Sequence, residues 1–523
     1  MDDCSRLRIM VDLTPVRPGG ETGGAKYFIF EFLRFIGERY YSDFEFVFLT
    51  SSANHCEIRQ QLARSCDELV CVREEAGFSM PVASAYSPKE QLWLSPLADL
   101  AIELKTNVVY CPFGMVDYAC PGIPTVTLIV DVLHRDYPYT LSPDGVEFRE
   151  RFFAEAVARS DYFQCISQFT TKRMIALYGV ENARLFHTYI PIHHRLGSSP
   201  DSALSGVLPV KGFFYYPANA WIHKNHESLL LAYRIYRQRV GDTAWPLVLT
   251  GHEDARFAQL KAITVNLGIA ENTHFLGFVS KETLAQLWHA AGALIFPSLH
   301  EGFGIPLLEA MQHATPILAN DACSIPEVGG EACLYVDARK PLELAEGLWR
   351  IAHDMDLCKK LIAAGTKRLQ AFSLEQEAGK LADCFQRCAS GWPRFSMSGI
   401  YVDGWISEAA VLSLPPCEGR GVVEIVFTTH APQARLLVYL GDRPFGSFRC
   451  ADYRERGIRI PFAGPQRFLR LRVIGAEHLS VDVDHRRHGV HLARLAFIDS
   501  AGTETILWPK ASLLEEGSCC ESV

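Results

Sequence analysis

Apolar and polar positions alternate in two rhythms along this chain, and the rhythm changes once. Between about 7 and 390, short apolar runs recur between stretches of helical spacing, whereas beyond 396 only short strand-like runs remain. The runs 7–13, 44–49, 108–111, 125–130 and 162–166 read as strands of a first half. Segment 25–36 repeats Tyr27, Phe28, Phe30, Phe32, Leu33 and Ile36 at helical spacing, and 145–160 reads as a second helix. Ser167 is placed to cap a third. Gly, Ser and Pro dominate 190–210, as in an interdomain linker. A second half then alternates strands at 213–216, 246–250, 273–276, 293–296, 316–319 and 334–336 with helical stretches, Ser280 capping one at 281–291. Such alternation predicts parallel sheets covered by helices on both faces. Helices at 342–355, 357–372 and 374–388 close this half, and runs at 422–428, 434–440, 457–461, 468–473 and 490–497 follow at the spacing of a β-sandwich. The fold class is α/β: two Rossmann-like domains followed by an all-β sandwich.

Composition narrows the function classes. The 523 residues are 48% hydrophobic and 21% charged, which suits a soluble multidomain protein. A net charge of −9 with no Lys/Arg-rich run argues against a nucleic-acid partner. No apolar run approaches the ~18 residues a transmembrane helix needs. The acidic start MDDCSRLRIMVDL leads directly into a strand and does not resemble a signal peptide. Sixteen scattered cysteines without CxxC pairing predict reduced thiols in a cytoplasmic protein.

Candidate chemistry gathers around FPSLHEGFGIPLLE, 296–309. An apolar strand ends there, Gly302 and Gly304 permit tight turns, and Pro306 suits the first turn of a helix. Free N–H groups, a positive helix end and the carboxylates of Glu301 and Glu309 would share one mouth, fit for a sugar carrying a phosphate. Lys224, in WIHKNH after the half's first strand, could neutralise a diphosphate. Glu309 could accept two ribose hydroxyls and Glu301 sugar hydroxyls. In the first half, Gly19, Gly20, Gly23 and Gly24 form a loop without the GxGxxG spacing of a dinucleotide site. Asp131, His134, Arg135 and Asp136 cluster beyond another strand end, where open α/β sheets bind ligands.

The stretch FPSLHEGFGIPLLEAMQHATPILANDACSIPEVGGEACLYVD resembles the signature of retaining GT-B glycosyltransferases of family four, and YPANAWIHKNHESLLLAY and FLGFVSKETLAQLWHAA are similar to further family segments. The resemblance spans about 7–390 and is strongest to members that transfer mannose into bacterial surface polysaccharides. It implies that Glu301 contacts the donor sugar, Glu309 the ribose and Lys224 the diphosphate, with Phe278 and Val279 lining the base. The donor set it implies also includes Gly302, Phe303, Gly304, Ile305, Gly251 and His223, while Asp131 and His134 join Glu301 and Lys224 as catalytic candidates. The glycine loop would lie across the cleft near acceptor and diphosphate. The resemblance further implies retention without a bound metal and no cofactor beyond the nucleotide-sugar donor, best matched to GDP-mannose. The domains expected are 1–195 for the acceptor, 205–375 for the nucleotide sugar, a helix at 376–395 crossing back, a β-sandwich at 396–515 and a disordered tail at 516–523.

Two departures stand out. Val130 occupies the place where many relatives have histidine, and Asn219 to Ile222 hold no arginine before Lys224, so Arg17 or Lys26 would assist with the phosphates. Trp405, in GIYVDGWISEAAVLSL, reads as core or as a sugar-stacking ring. The expected partners are a nucleotide sugar and a saccharide or lipid-linked saccharide acceptor. Peripheral contact with the inner membrane face, and assembly or self-association through the β domain, stay open. The alternatives are a transferase using UDP-glucose or an activated deoxysugar, and a non-catalytic scaffold that keeps the nucleotide fold.

Overall fold

The computed structural model describes residues 6–18, 24–64, 67–72, 98–191, 212–394, 396–401, 403–417, 419–429, 433–441, 443–449, 454–463, 466–475, 477–478 and 487–508. Residues 192–211, most of the expected linker, and Gly19, Gly20 and Gly23 of the glycine loop lie outside these.

The first half folds into a seven-stranded sheet ordered β3-β2-β1-β4-β5-β6-β7. Its strands are β1 (Leu7–Asp12), β2 (Phe44–Thr50), β3 (Glu68–Cys71), β4 (Val108–Cys111), β5 (Thr125–Ile129), β6 (Tyr162–Cys165) and β7 (Leu185–His187). The second half forms a six-stranded sheet ordered β10-β9-β8-β11-β12-β13. These are β8 (Phe214–Pro217), β9 (Leu247–Thr250), β10 (Thr273–Phe275), β11 (Ala293–Phe296), β12 (Ile317–Asn320) and β13 (Cys333–Val336). Every pairing in both sheets is parallel. Helices cover both faces, which explains why β11 is apolar and buried at all four positions instead of alternating. In each sheet the winding reverses once, between β1 and β4 and between β8 and β11. Such switch points leave a crevice beyond the strand ends.

The helix Leu374–Ser390 returns to the first domain, where Phe385 meets Phe44 and Tyr110 edge-on at 6.0 and 5.4 Å. Beyond it, a nine-stranded antiparallel sheet is nearly closed into a barrel or sandwich. Strand Arg420–Thr429 alternates strictly between covered and uncovered positions, and Val423, Ile425 and Phe427 enter a core of the domain's own. This domain docks on the N-terminal ends of β5 and β6. The Arg394 N–H donates to Asp161 (2.7 Å), whose other carboxylate oxygen accepts from Thr125 N–H (2.8 Å). Val411 of the β domain is buried among first-domain side chains. The β domain therefore sits at the opposite end of the first sheet from its switch-point crevice. Trp405 is partly buried, its ring edge-on to His491 at 5.4 Å. Among the described residues no helix is long and apolar enough to cross a membrane.

Candidate functional site

Neighbouring strands bring the two central charges together. Tyr215 of β8 pairs with Leu294 of β11, so the loops that follow these strands emerge side by side. The first tightens into a turn, Ile222–Lys224, and the second runs from Pro297 to Gly304. Backbone and side chains lash them to each other: Leu299 N–H donates to His223 C=O (2.7 Å), while Tyr216 OH donates to Lys224 C=O and meets Ser298 Oγ, both at 2.9 Å. Asn225, held at φ +60°, donates to Pro297 C=O at 3.2 Å. The result is an ion pair between Lys224 Nζ and Glu301 Oε1 at 2.6 Å, with side chains only 15% and 13% exposed. Beside it, burial pushes the His223 imidazole down to about 4 and Lys224 adds to that push, so this ring is neutral at neutral pH.

The helix Ile305–Gln312 starts from Gly304, whose φ of +109° is a conformation glycine tolerates, and carries Pro306 in its first turn. It begins four residues after Glu301, and Glu309 is buried one turn along. Phe303 is core: its ring contacts Tyr189 and Phe372 at 6.0 and 5.8 Å, leaving only backbone for a ligand. Gly251 N–H donates to Gly277 C=O at 3.0 Å, joining the loops after β9 and β10. A side chain at Gly251 would meet the Ala218 carbonyl oxygen at 2.5 Å. Beyond Gly277, Phe278 is 84% exposed and Val279 half-buried, so one large ring stands free at this edge of the mouth.

The first domain faces this loop closely. A Cβ on Gly302 would lie 1.8 Å from the carbonyl oxygen of Val130, and one on Gly24 would lie 2.8 Å from Ile305. Gly24, the one described member of the glycine loop, thus opens its helix against the donor-side helix. Asp131 pairs with Arg149 at 2.9 Å and accepts from Leu133 N–H; these outweigh its burial and hold its carboxyl below the usual range. His134 goes elsewhere. Its side chain has no exposed surface, its Nε2 is 2.7 Å from Tyr178 OH, and its ring lies 4.6 Å from Phe153. Lys26 is also committed inside the first domain, paired with Glu57 at 2.6 Å.

Three further residues, His300, Glu327 and Asp12, hold charged or buried contacts in this region. His300 Nε2 lies 3.2 Å from Asp136 of the first domain, and Arg173 also binds that carboxylate. Glu327 reaches across with both oxygens, accepting from the N–H groups of Gln168 and Phe169 at 2.6 and 2.8 Å. These open the helix Gln168–Tyr178 that Ser167 caps, so the carboxylate also meets a positive helix end. At the end of β1, Asp12 is 1% exposed; Oδ1 accepts from Thr14 while Oδ2 has no hydrogen-bond partner among the described residues. Burial pushes its carboxyl up to about 7. Among the described residues no group of three or more His, Cys, Asp or Glu side chains could hold a metal ion.

Residues 209–368, which include the Lys224–Glu301 pair and Glu309, match the family model for glycosyl transferases group 1. O-antigen chain mannosyltransferase B of Escherichia coli is 28% identical over 265 residues, covering 48% of this chain and 67% of its own length. O-antigen chain mannosyltransferase RfbU of Salmonella typhimurium is 32% identical over 127 residues, 24% of this chain and 35% of that protein. The chain thus spans about two thirds of the first relative and about a third of the second. Anabaena HepE in complex with UDP and glucose superposes with a TM-score of 0.54 at 17% identity, covering 73% of this chain and 100% of that one. That likeness shows the fold: the two α/β domains have the GT-B arrangement.

Proposed function

We propose that the chain is a retaining glycosyltransferase that moves a hexose, mannose from GDP-mannose, onto a saccharide or lipid-linked saccharide in surface-polysaccharide synthesis. The observation that carries this is the Lys224–Glu301 pair at the β8/β11 switch point, 2.6 Å apart beside the start of the helix bearing Glu309. Within the pair each charge neutralises the other. An arriving diphosphate takes Lys224, and Glu301 turns to the sugar hydroxyls. Lys224 and the N–H groups of 302–305 then supply the positive field that a departing diphosphate needs, so this reading requires no metal.

The acceptor oxygen bonds to the anomeric carbon on the face from which the phosphate oxygen leaves. The acceptor proton passes to that phosphate, and configuration is retained. Asp131, just beyond the end of β5, has its charge already held by Arg149, which suits it to bind hydroxyls and not to take a proton. The two O-antigen mannosyltransferases favour mannose; HepE with UDP and glucose favours the alternative of UDP-glucose.

Thermal-shift titration with GDP-, UDP- and dTDP-sugars tests the reading. Stabilisation by GDP-mannose is expected, stabilisation by UDP-glucose alone replaces the donor, and no response to any nucleotide sugar ends the enzyme reading.

A further inference from the structure

Behind the loop that carries Glu301 lies a second cavity of about 570 Å³, lined by both domains. Tyr137 of the first domain forms one wall, and Asn320, Asp321, Tyr335, Asp337 and Arg339 at the ends of β12 and β13 form the others. We propose that this cavity is a second carbohydrate subsite, taking two or three neutral sugar units of the acceptor chain. The proposal rests on the glycosyltransferase reading only for the word acceptor; the binding chemistry stands on its own.

The lining excludes other ligand classes. Three carboxylates, Asp321, Asp337 and Glu343, outnumber the Arg339 guanidinium and the Lys340 ammonium that pairs with Glu343 and Asp337 from beside the cavity, so the balance disfavours an anion. Among the described residues no cluster could hold a metal ion. Only Ala322 and Val336 offer aliphatic surface, too little for an apolar ligand. Carboxylates that accept paired hydroxyls, beside tyrosine rings that pack on C–H faces, suit a neutral polyol. Asp337 is held by Arg339 Nε at 2.8 Å, whereas Asp321 is exposed and its carboxylate has no partner among the described residues. The size lies within the range of about 300–1,000 Å³ typical of small-molecule sites.

Two walls of the cavity also touch the loop that carries Glu301. The Tyr137 ring lies 5.9 Å from that of His300, the residue before Glu301, and its neighbour Asp136 holds His300 at 3.2 Å. Asn320 Nδ2 donates to Ser298 C=O of the same loop at 2.9 Å. Because one wall comes from each domain, a bound chain holds the two domains together.

Isothermal titration of the full chain with α-linked mannotriose and cellotriose, and with trigalacturonate as the anionic control, tests this. At least one neutral trisaccharide should bind and trigalacturonate should not. Asp321→Ala and Tyr137→Ala should each weaken binding about tenfold, the size of one lost charged hydrogen bond or ring contact. GDP-mannose or UDP-glucose affinity should stay unchanged in both. Failure of every neutral trisaccharide to bind, or binding that survives both substitutions, overturns the subsite while nucleotide binding leaves the transferase reading intact. Trisaccharide binding without any nucleotide response does the reverse.

Discussion

Gly302 and Val130 meet backbone to backbone: the space a side chain would need at 302 is filled by the Val130 carbonyl oxygen, 1.8 Å from the ideal Cβ position. The contact joins the two domains at the residue after Glu301. It gives the glycine a steric reason distinct from the anion-binding role its sequence context suggests. Gly302→Ala must therefore push the domains apart locally. A misplacement of about 1 Å at reacting atoms costs on the order of a hundredfold in rate. We expect that loss in sugar transfer, with a larger radius of gyration by small-angle scattering and a near-unchanged circular dichroism spectrum. Full activity with an unchanged scattering profile would refute the contact.

Lys224 and Glu301 are expected to separate stability from function. Removing one partner leaves the other charge mostly buried and unpaired, so Lys224→Met should destabilise by about 1–3 kcal/mol. The double variant Lys224→Met/Glu301→Gln removes both charges and should recover most of that loss in denaturant unfolding. It should not recover transfer, because neither the diphosphate nor the sugar hydroxyls regain a partner. Recovery of turnover in the double variant would assign the pair a purely structural role.

How much of this was legible beforehand follows from what each feature depends on. The strand β11 and the helix Ile305–Gln312 were readable because an uninterrupted apolar run, two glycines and a proline are local signals. The Lys224–Glu301 meeting was readable only as a joint placement at successive strand ends. The edge strands β3 and β7 and the β-domain strands Met397–Ile400, Trp405–Ser413, Arg443–Phe448 and Glu504–Trp508 were not assigned. Arg443–Phe448 contains Pro444 and Gly446, both poor strand signals, and lies at the sheet edge where proline is tolerated. His134 clustered with Asp131 in sequence, yet one turn of helix points it inward to Tyr178. Asp136 stood in the cluster after β5 and Glu327 in the family-like stretch, but their cross-domain pairings carried no local signal, since the partners are 164 and 159 residues away along the chain.

Glu327 makes a cross-domain contact of that kind with both oxygens, its carboxylate matched to two N–H donors. A carboxamide offers one acceptor oxygen and turns an N–H₂ toward the second donor. Glu327→Gln should thus loosen closure: the Michaelis constant for acceptor rises several-fold, while the unfolding midpoint of the isolated domains' cores stays near that of the parent. Glu327→Asp, shorter but still a carboxylate, should restore part of the loss. Equal kinetics in all three proteins would remove Glu327 from closure.

Asp12 makes a prediction about pH. Its carboxyl is pushed by burial from the ordinary 3.8 to about 7, with Asp117 adding to the push and Thr14 opposing it. Below 3.8 the acid is protonated folded or unfolded and makes no difference between the states. Between 3.8 and about 7 the unfolded chain gives up this proton and the folded one keeps it, so folding loses stability as pH rises. Above about 7 the loss is complete and constant. Asp12→Asn keeps an oxygen for Thr14 and replaces the partnerless Oδ2 by a neutral group that never ionises. The variant should match the parent near pH 4 and exceed it by on the order of 4 kcal/mol at pH 8, read as a pH-dependent difference in urea midpoints. A difference that is flat across this range would place the ionised form of Asp12 in the folded protein.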